Sequence, residues 1–125
     1  MMPDAVAVLI VDDQAPFRRA ARAVVTATPG FDVAAEAESG EEAVDLADQL
    51  LPGLVLMDIN LPGINGIEAT RRIMAAHPDI VVMLLSTYQA ADLPADATDC
   101  GAARYVNKEE FGPQVIIETW GAHRS

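Results

Sequence analysis

The feature that most constrains the fold is a regular alternation between short apolar runs and amphipathic stretches along the chain. The runs are mostly aliphatic or β-branched and have the length of strands, whereas the stretches between them repeat at helical spacing. Strands that are apolar on both faces belong to parallel sheets covered by helices on each side. The segments predicted as strands are residues 6–11, 32–37, 54–57, 80–85 and 104–106.

Five such strands in 125 residues predict a flavodoxin-like, doubly wound parallel sheet with strand order 2-1-3-4-5 and helices on both faces. Ser39 and Glu42 form a capping box at the start of the second helix, and Leu50 completes its apolar stripe. The weakest helix is the fourth, between residues 89 and 100. Because Pro94 lies in its middle, this helix is predicted to be short or irregular.

Length and composition fit one globular domain over residues 1–125, with flexible ends at 1–4 and 121–125. The formal net charge of −11 disfavours binding to nucleic acid or anionic lipid and favours a small cation or a basic protein partner. The single cysteine, Cys100, excludes a disulfide framework. Since no apolar run approaches the roughly 20 residues of a membrane span, the chain is expected to be cytoplasmic, without membrane contact.

The carboxyl ends of four predicted strands carry charged or hydroxyl residues. Asp12 and Asp13 come after the first strand, and Asp58 comes after the third. Ser86 ends the fourth, and the fifth leads into Lys108. Ligands of doubly wound sheets bind beyond these ends, where the strand order reverses. We therefore expect three carboxylates, a hydroxyl and an ammonium group to converge there.

Three carboxylates within a few ångströms repel one another, so the cluster is unfavourable unless a cation neutralises it. Oxygen ligands with no Cys or His nearby favour Mg²⁺ or another hard cation. A carboxylate beside such an ion can attack phosphorus and form an aspartyl phosphate, with an ammonium group and a hydroxyl stabilising the transition state. Asp58 is the best candidate nucleophile because it lies in the middle of the row.

Each residue also has an ordinary structural interpretation. Asp12 and Asp13 can cap the first helix, and Asp58 can be a turn residue. Ser86 can cap the segment that follows it. Lys108 can be a solvated surface charge, although it is the only lysine beside seven arginines. The joint placement favours a functional cluster over these separate interpretations.

The ordered set of motifs resembles the receiver domain of two-component response regulators. The matching pieces extend over about residues 5–120 at family-like spacing, and together they are highly specific. They are residues 8–13 (VLIVDD), residues 54–58 (LVLMD), Leu61-Pro62 with Gly66, residues 84–86 (LLS), and Gly101-Ala102 before Tyr105 and Lys108.

The resemblance implies a phosphorylatable signalling switch. A sensor histidine kinase or a phosphotransfer protein would donate a phosphoryl group from a phosphohistidine to Asp58. Asp13 and Asp58 would ligate Mg²⁺ directly, together with the backbone carbonyl of Asn60. Asp12 would act mainly through water.

The resemblance also assigns roles around the acceptor. Lys108 would pair with the phosphoryl oxygens, and Ser86 would move to donate a hydrogen bond to one of them. Tyr105 matches the family's switch aromatic, whose ring turns inward when the serine shifts; it can equally be a partly buried strand aromatic. Asn60 and Tyr88 occupy positions at which family members tune the lifetime of the phosphoryl group.

Departures from the family's pattern bear on the readout of the signal. Many members have proline after the lysine, whereas Glu109 stands there and adds negative charge beside Lys108. The poor fourth helix lies on the family's output surface. The last helix is apolar on more than one face, which favours a homodimer or partner surface; its apolar residues are Val115, Ile116, Ile117 and Trp120.

Other functions compete with this one. The chain can be a stand-alone receiver or the receiver part of a larger, DNA-binding response regulator. Because the sequence contains no candidate recognition helix or basic stripe, this chain is not expected to bind DNA by itself. A receiver is not an enzyme beyond its own phosphorylation and dephosphorylation. A flavodoxin-like flavin carrier needs a phosphate cradle where Asp12 and Asp13 would repel phosphate. An aspartyl-nucleophile phosphatase typically has a second aspartate where this chain has Asn60.

A bulky ring at Tyr88 would obstruct the water that hydrolyses the phosphoryl group, which predicts a long-lived phosphorylated state. Tyr88→Ala is therefore expected to dephosphorylate faster than the wild type, measured as loss of phosphoprotein after removal of the phosphodonor. Faster loss from the wild type would contradict this prediction.

Overall fold

The fold is a five-stranded parallel sheet in the predicted order, β2-β1-β3-β4-β5. The computed structural model describes residues 5–87 and 94–124, with side chains up to residue 122. The strands follow the predicted apolar runs to within one or two residues. They are β1 (Val6–Val11), β2 (Phe31–Ala37), β3 (Leu54–Asp58), β4 (Val81–Ser86) and β5 (Arg104–Asn107).

Four α-helices lie in the described part of the chain: α1 (Ala15–Thr26), α2 (Gly40–Leu50), α3 (Gly66–Ala76) and α4 (Pro113–Arg124). Where the sequence predicts a short or irregular fourth helix, the described residues form only a 3-10 turn over Ala95–Thr98. Residues 88–93, including Tyr88, lie outside the described residues. The label α4 therefore belongs to the last helix of the chain.

Side chains of the sheet alternate between two cores, one on each face. Leu9 and Val55 belong to the core that α2 and α3 cover, whereas Ile10 and Leu56 belong to the core covered by α1 and α4. All four are fully buried. This two-sided burial is why the strands read as continuous apolar runs.

The start of α2 confirms the predicted capping box, except that the Glu42 carboxylate bonds to the backbone of the residue before Ser39. The Ser39 hydroxyl accepts a hydrogen bond from the Glu42 backbone N–H at 3.1 Å, and the Glu42 carboxylate accepts one from the Glu38 N–H at 2.8 Å. Leu50, which completes the apolar stripe in the sequence, is not buried with the rest of the stripe, since it is 43% exposed. The buried contacts of α2 are made by its smaller alanines, and Leu50 is the last residue of the helix.

The last helix is less apolar on its outer side than the sequence suggests. Ile116 is fully buried in the core, and Val115 and Trp120 are half-buried against it. Only Ile117 is a large exposed apolar side chain of this helix, at 45% exposure, among the side chains described. The backbone is helical as far as residue 124; that residues 121–125 are flexible stays a prediction. No helix in the described ranges is long and apolar enough to cross a membrane.

The register of the strands aligns the polar residues at the carboxyl edge of the sheet. Val11 pairs with Met57, so Asp12 and Asp58 come one step later on neighbouring strands. Asp58 pairs with Leu85, and the next residue, Ser86, pairs with Asn107, directly before Lys108. Hydrogen-bond pairing alone therefore brings these groups into one row.

Gly66 has to be glycine because the start of α3 lies against the end of β3. Its N–H donates to the Ile59 carbonyl at 2.9 Å, and a Cβ on Gly66 would lie 2.0 Å from the Asp58 carbonyl oxygen. A side chain here would have to displace the backbone that carries Asp58.

Gly66→Ala is expected to lower the free energy of unfolding by roughly 1–3 kcal/mol or more, because the clash is with backbone. Urea unfolding followed by circular dichroism measures it. Gly121→Ala in α4 is the matched control, because a Cβ there meets no atom within 4 Å. Its expected change is a gain of up to about 1 kcal/mol from helix propensity. Equal effects at the two positions would contradict the role of Gly66.

Candidate functional site

Asp12 is fully buried at the end of β1 and accepts three hydrogen bonds. Its Oδ1 accepts from the Gln14 backbone N–H at 2.8 Å, and its Oδ2 accepts from Lys108 Nζ at 2.6 Å. Its own carbonyl accepts from Arg18 Nη1 at 2.7 Å. The Gln14 bond lies in the turn before α1 and does not cap the helix, whose N-cap is Gln14 and which has no side-chain capping bond, so the capping interpretation of Asp12 is wrong. The bond to Lys108 shows that Asp12 belongs to the cluster.

Asp58 ends β3 and is only 4% exposed. Burial, followed by the nearby Asp12 charge, raises the pKa of its carboxyl from its ordinary value of 3.8 to about 6. Lys108 and a hydrogen bond from the Asn60 backbone N–H oppose this rise in the pKa. The carboxylate therefore carries its charge at a cost when no cation is added.

Asp13 supplies the solvent-facing carboxylate of the cluster. One carboxylate oxygen from each of Asp12, Asp13 and Asp58 lies within 4.8 Å of the others. Asp13 is exposed, whereas the other two are buried. Within the described ranges the Asp13 carboxylate makes no hydrogen bond, in contrast to both oxygens of Asp12. The predicted convergence of three carboxylates is therefore present.

Lys108 is the cation of the cluster, and the interpretation as a solvated surface charge is wrong. Its side chain is 16% exposed, and its Nζ lies 2.6 Å from Asp12 Oδ2 and 3.5 Å from Asp58 Oδ1. One ammonium group thus faces two buried carboxylates. The single positive charge leaves the site with a net negative charge.

The structure places the remaining predicted residues differently from one another. Ser86 is fully buried at the end of β4, beside Asp58 on the neighbouring strand. Tyr105 is half-buried on β5 and packs against the core under α2 and α3. Its role as a switch residue stays a prediction. Asn60 is exposed and lies two residues after the end of β3. Tyr88 lies outside the described residues, so its predicted role in the lifetime of the phosphoryl group stays a prediction.

Two residues near the site did not stand out in the sequence. Arg18 donates to the Asp12 carbonyl and pairs with Glu36 at 3.2 Å, which ties α1 to the end of β1. The Phe17 ring centroid lies 4.4 Å from Lys108 Nζ. Phe17 resembles an ordinary core residue in the helical pattern. Its place in the first turn after the aspartates is the only local signal that could have marked it.

The fold and the cluster together define a class: a doubly wound α/β domain with three clustered carboxylates and a lysine at its carboxyl edge. The family model described as "Response regulator receiver domain" matches residues 8–119. The chain therefore belongs to the response regulator receiver family, whose members are phosphoryl-accepting signalling switches. This match supports neither a flavin carrier nor a phosphatase.

Two relatives support this family assignment. The chain is 37% identical over 102 residues to the transcriptional regulatory protein DegU of Brevibacillus brevis, covering 82% of this chain and 43% of the relative. It is 39% identical over 101 residues to the response regulator GacA of Pseudomonas viridiflava, covering 81% and 47%. The chain thus spans less than half the length of these relatives.

A solved structure supports the same conclusion. The two-component response regulator of the LuxR family from an Aurantimonas species shares 31% identity, with a TM-score of 0.83. The match covers 94% of this chain and 84% of that one. The similarity therefore extends over nearly the whole described fold.

The raised pKa of Asp58 predicts that its charge opposes folding when no divalent cation is added. Because the folded-state pKa is the higher one, the protonated carboxyl stabilises the fold at low pH, and this stability is lost as pH rises towards about 6. At pH 7.5 in EDTA, Asp58→Asn is expected to raise the free energy of unfolding by roughly 1–3 kcal/mol. The gain should shrink as pH falls below 6.

Urea unfolding over a pH series measures this effect. Asp32→Asn, at an exposed position on β2, removes the same charge and is expected to change stability by less than about 0.5 kcal/mol. A less stable Asp58→Asn, or a gain that does not depend on pH, would contradict the electrostatic account.

Proposed function

We propose that Asp58 is the phosphoryl acceptor of this receiver. A carboxylate oxygen of Asp58 attacks phosphorus, and the bond from phosphorus to the donor nitrogen of a phosphohistidine breaks, with its electron pair leaving on the imidazole. The observation that carries the proposal is the placement of Asp58 in the middle of the cluster, with Lys108 Nζ 3.5 Å from its Oδ1. A pKa of about 6 leaves Asp58 ionised at pH 7.5, as a nucleophile requires.

The donor set fits Mg²⁺, which receiver domains generally bind at an acidic pocket. Two oxygens on one Mg²⁺ lie roughly 3 to 4 Å apart, so oxygens already within 4.8 Å need only small side-chain rotations. Asp13 and Asp58 would ligate the ion, with the Asn60 backbone carbonyl. The engagement of both Asp12 oxygens supports a role for Asp12 through water. Bound Mg²⁺ would supply positive charge to the phosphoryl oxygens.

Lys108 and Ser86 are the chain's own groups for the transferred phosphoryl group. The Lys108 ammonium already lies between Asp12 and Asp58, so it can donate to a phosphoryl oxygen on Asp58 without a large movement. The Ser86 hydroxyl, next along the row of strand ends, would donate to another. Each such charge-assisted hydrogen bond lowers the energy of the phosphorylated arrangement.

Movement of Ser86 would be coupled to Tyr105. The two residues lie on neighbouring strands, since Ser86 pairs with Asn107 and Tyr105 is two residues earlier on β5. Tyr105 is half-buried, so its ring can occupy an inner or an outer rotamer. A coupling of this kind needs only two states separated by a few kcal/mol, which one hydrogen bond can bias.

The partners follow from this chemistry. A sensor histidine kinase or a phosphotransfer protein would donate the phosphoryl group. One relative, DegU of Brevibacillus brevis, is a transcriptional regulatory protein, which supports a role of this chain as the receiver part of a longer regulator that acts on transcription. The stand-alone receiver is the other form of the same function. The exposed side of α4 around Ile117 would be the surface for a homodimer.

Incubation with Mg²⁺ and acetyl phosphate tests the proposal. Wild type should gain one phosphoryl group by intact mass, whereas Asp58→Ala and Asp58→Asn should gain none. Asp13→Ala should lose the dependence on Mg²⁺ because the ion no longer binds. Lys108→Ala should bind Mg²⁺ but show no phosphorylation-dependent change in assembly by sedimentation. Phosphorylation of Asp58→Asn to the wild-type level would refute Asp58 as the acceptor.

A further inference from the structure

The ammonium group of Lys108 is covered by an aromatic ring from another element. Phe17, in the first turn of α1, places its ring centroid 4.4 Å from Lys108 Nζ. A cation within about 6 Å of a ring face is attracted by the ring's quadrupole, more strongly where water is excluded. The Lys108 side chain is 16% exposed, so little water screens this contact.

The ring of Phe17 is itself held in place by the segment that carries the lysine. Phe111 follows the 3-10 turn that begins at Lys108, and its ring centroid lies 6.3 Å from that of Phe17. Asn107 accepts a hydrogen bond from the Glu109 backbone N–H at 2.9 Å, which caps this turn. A proline in place of Glu109 would lack that N–H.

The Lys108 ammonium is attracted unequally by two carboxylates. Nζ lies closer to Asp12, at 2.6 Å, than to Asp58, at 3.5 Å. A ring face attracts the ammonium without adding a hydrogen-bond acceptor, so it does not compete with carboxylate or phosphoryl oxygens for the N–H donors. The ring thus adds an attraction that helps to hold the ammonium at its position 3.5 Å from Asp58 Oδ1.

We propose that Phe17 is a positioning residue that holds the Lys108 ammonium where it meets the phosphoryl group on Asp58. The inference rests on the proposed function of Asp58 and extends it to a residue that acts through the lysine. Its ring is needed for phosphoryl transfer, not only for packing α1 against the sheet.

The first experiment compares the rates of phosphorylation by acetyl phosphate at saturating Mg²⁺. Phe17→Leu should lower the limiting rate constant roughly 3- to 10-fold, with the Mg²⁺ dissociation constant unchanged within about twofold. Phe17→Tyr keeps the ring and should stay within about twofold of wild type. Phe31→Leu is the matched control, because Phe31 forms an aromatic pair with Trp120 at the opposite edge of the sheet. It should leave the rate unchanged.

A second background separates positioning from packing. In Lys108→Met, which keeps the stem and removes the charge, Phe17→Leu should cause no further loss of rate. Because Lys108 is the only lysine, protein labelled at lysine Cε gives one NMR signal without assignment. The ring-current shift of that signal should be present in wild type and Phe17→Tyr and lost in Phe17→Leu.

The outcomes distinguish the two proposals. A wild-type chain that accepts no phosphoryl group would overturn the role of Asp58 and that of Phe17 together. If wild type is phosphorylated and Phe17→Leu matches its rate, or if Phe17→Leu causes the same loss in the Lys108→Met background, the positioning role is overturned and Asp58 stands. Urea unfolding of each variant confirms that the rates refer to folded protein.

Discussion

Electrostatic repulsion among three carboxylates at one edge of the parallel sheet is the constraint that the rest of the site has to satisfy. Asp12 and Asp58 are buried, and Asp13 adds a third charge from the solvent side. The only ammonium group among them, that of Lys108, lies against Asp12 at 2.6 Å and neutralises one charge. Burial first, and then the nearby Asp12 charge, raises the pKa of Asp58 to about 6. A site of this kind is costly alone and stable with a divalent cation.

Strand pairing and the starts of α1 and α3 hold these charged side chains in one arrangement. The register sets Asp12, Asp58 and Ser86 at successive strand ends, with Lys108 after the last. The bare backbone of Gly66 lets α3 begin against the Asp58 carbonyl, and α1 covers the site with Phe17 and Arg18. Charges that would separate in a flexible chain are thereby kept within a few ångströms of one another.

The sheet order and the carboxylate cluster were predictable because both follow from backbone pairing. Apolar runs mark strands, and the residues directly after them must lie at one edge, so Asp12, Asp13 and Asp58 are readable from the sequence. Contacts that depend on the direction of a side chain were not predictable from the sequence. The exposure of Leu50 depends on where α2 ends, and the ring of Phe17 over Lys108 depends on a tertiary contact between α1 and the turn after β5.

The dependence of stability on Mg²⁺ tests the central claim most directly. At pH 7.5 the free energy of unfolding of the wild type should rise with Mg²⁺ concentration, by about 1.4 kcal/mol for each tenfold increase above the dissociation constant. The control Asp45→Asn, at an exposed acid of α2, should show the same rise. A wild-type stability that does not change with Mg²⁺ would contradict an acidic cluster stabilised by a divalent cation.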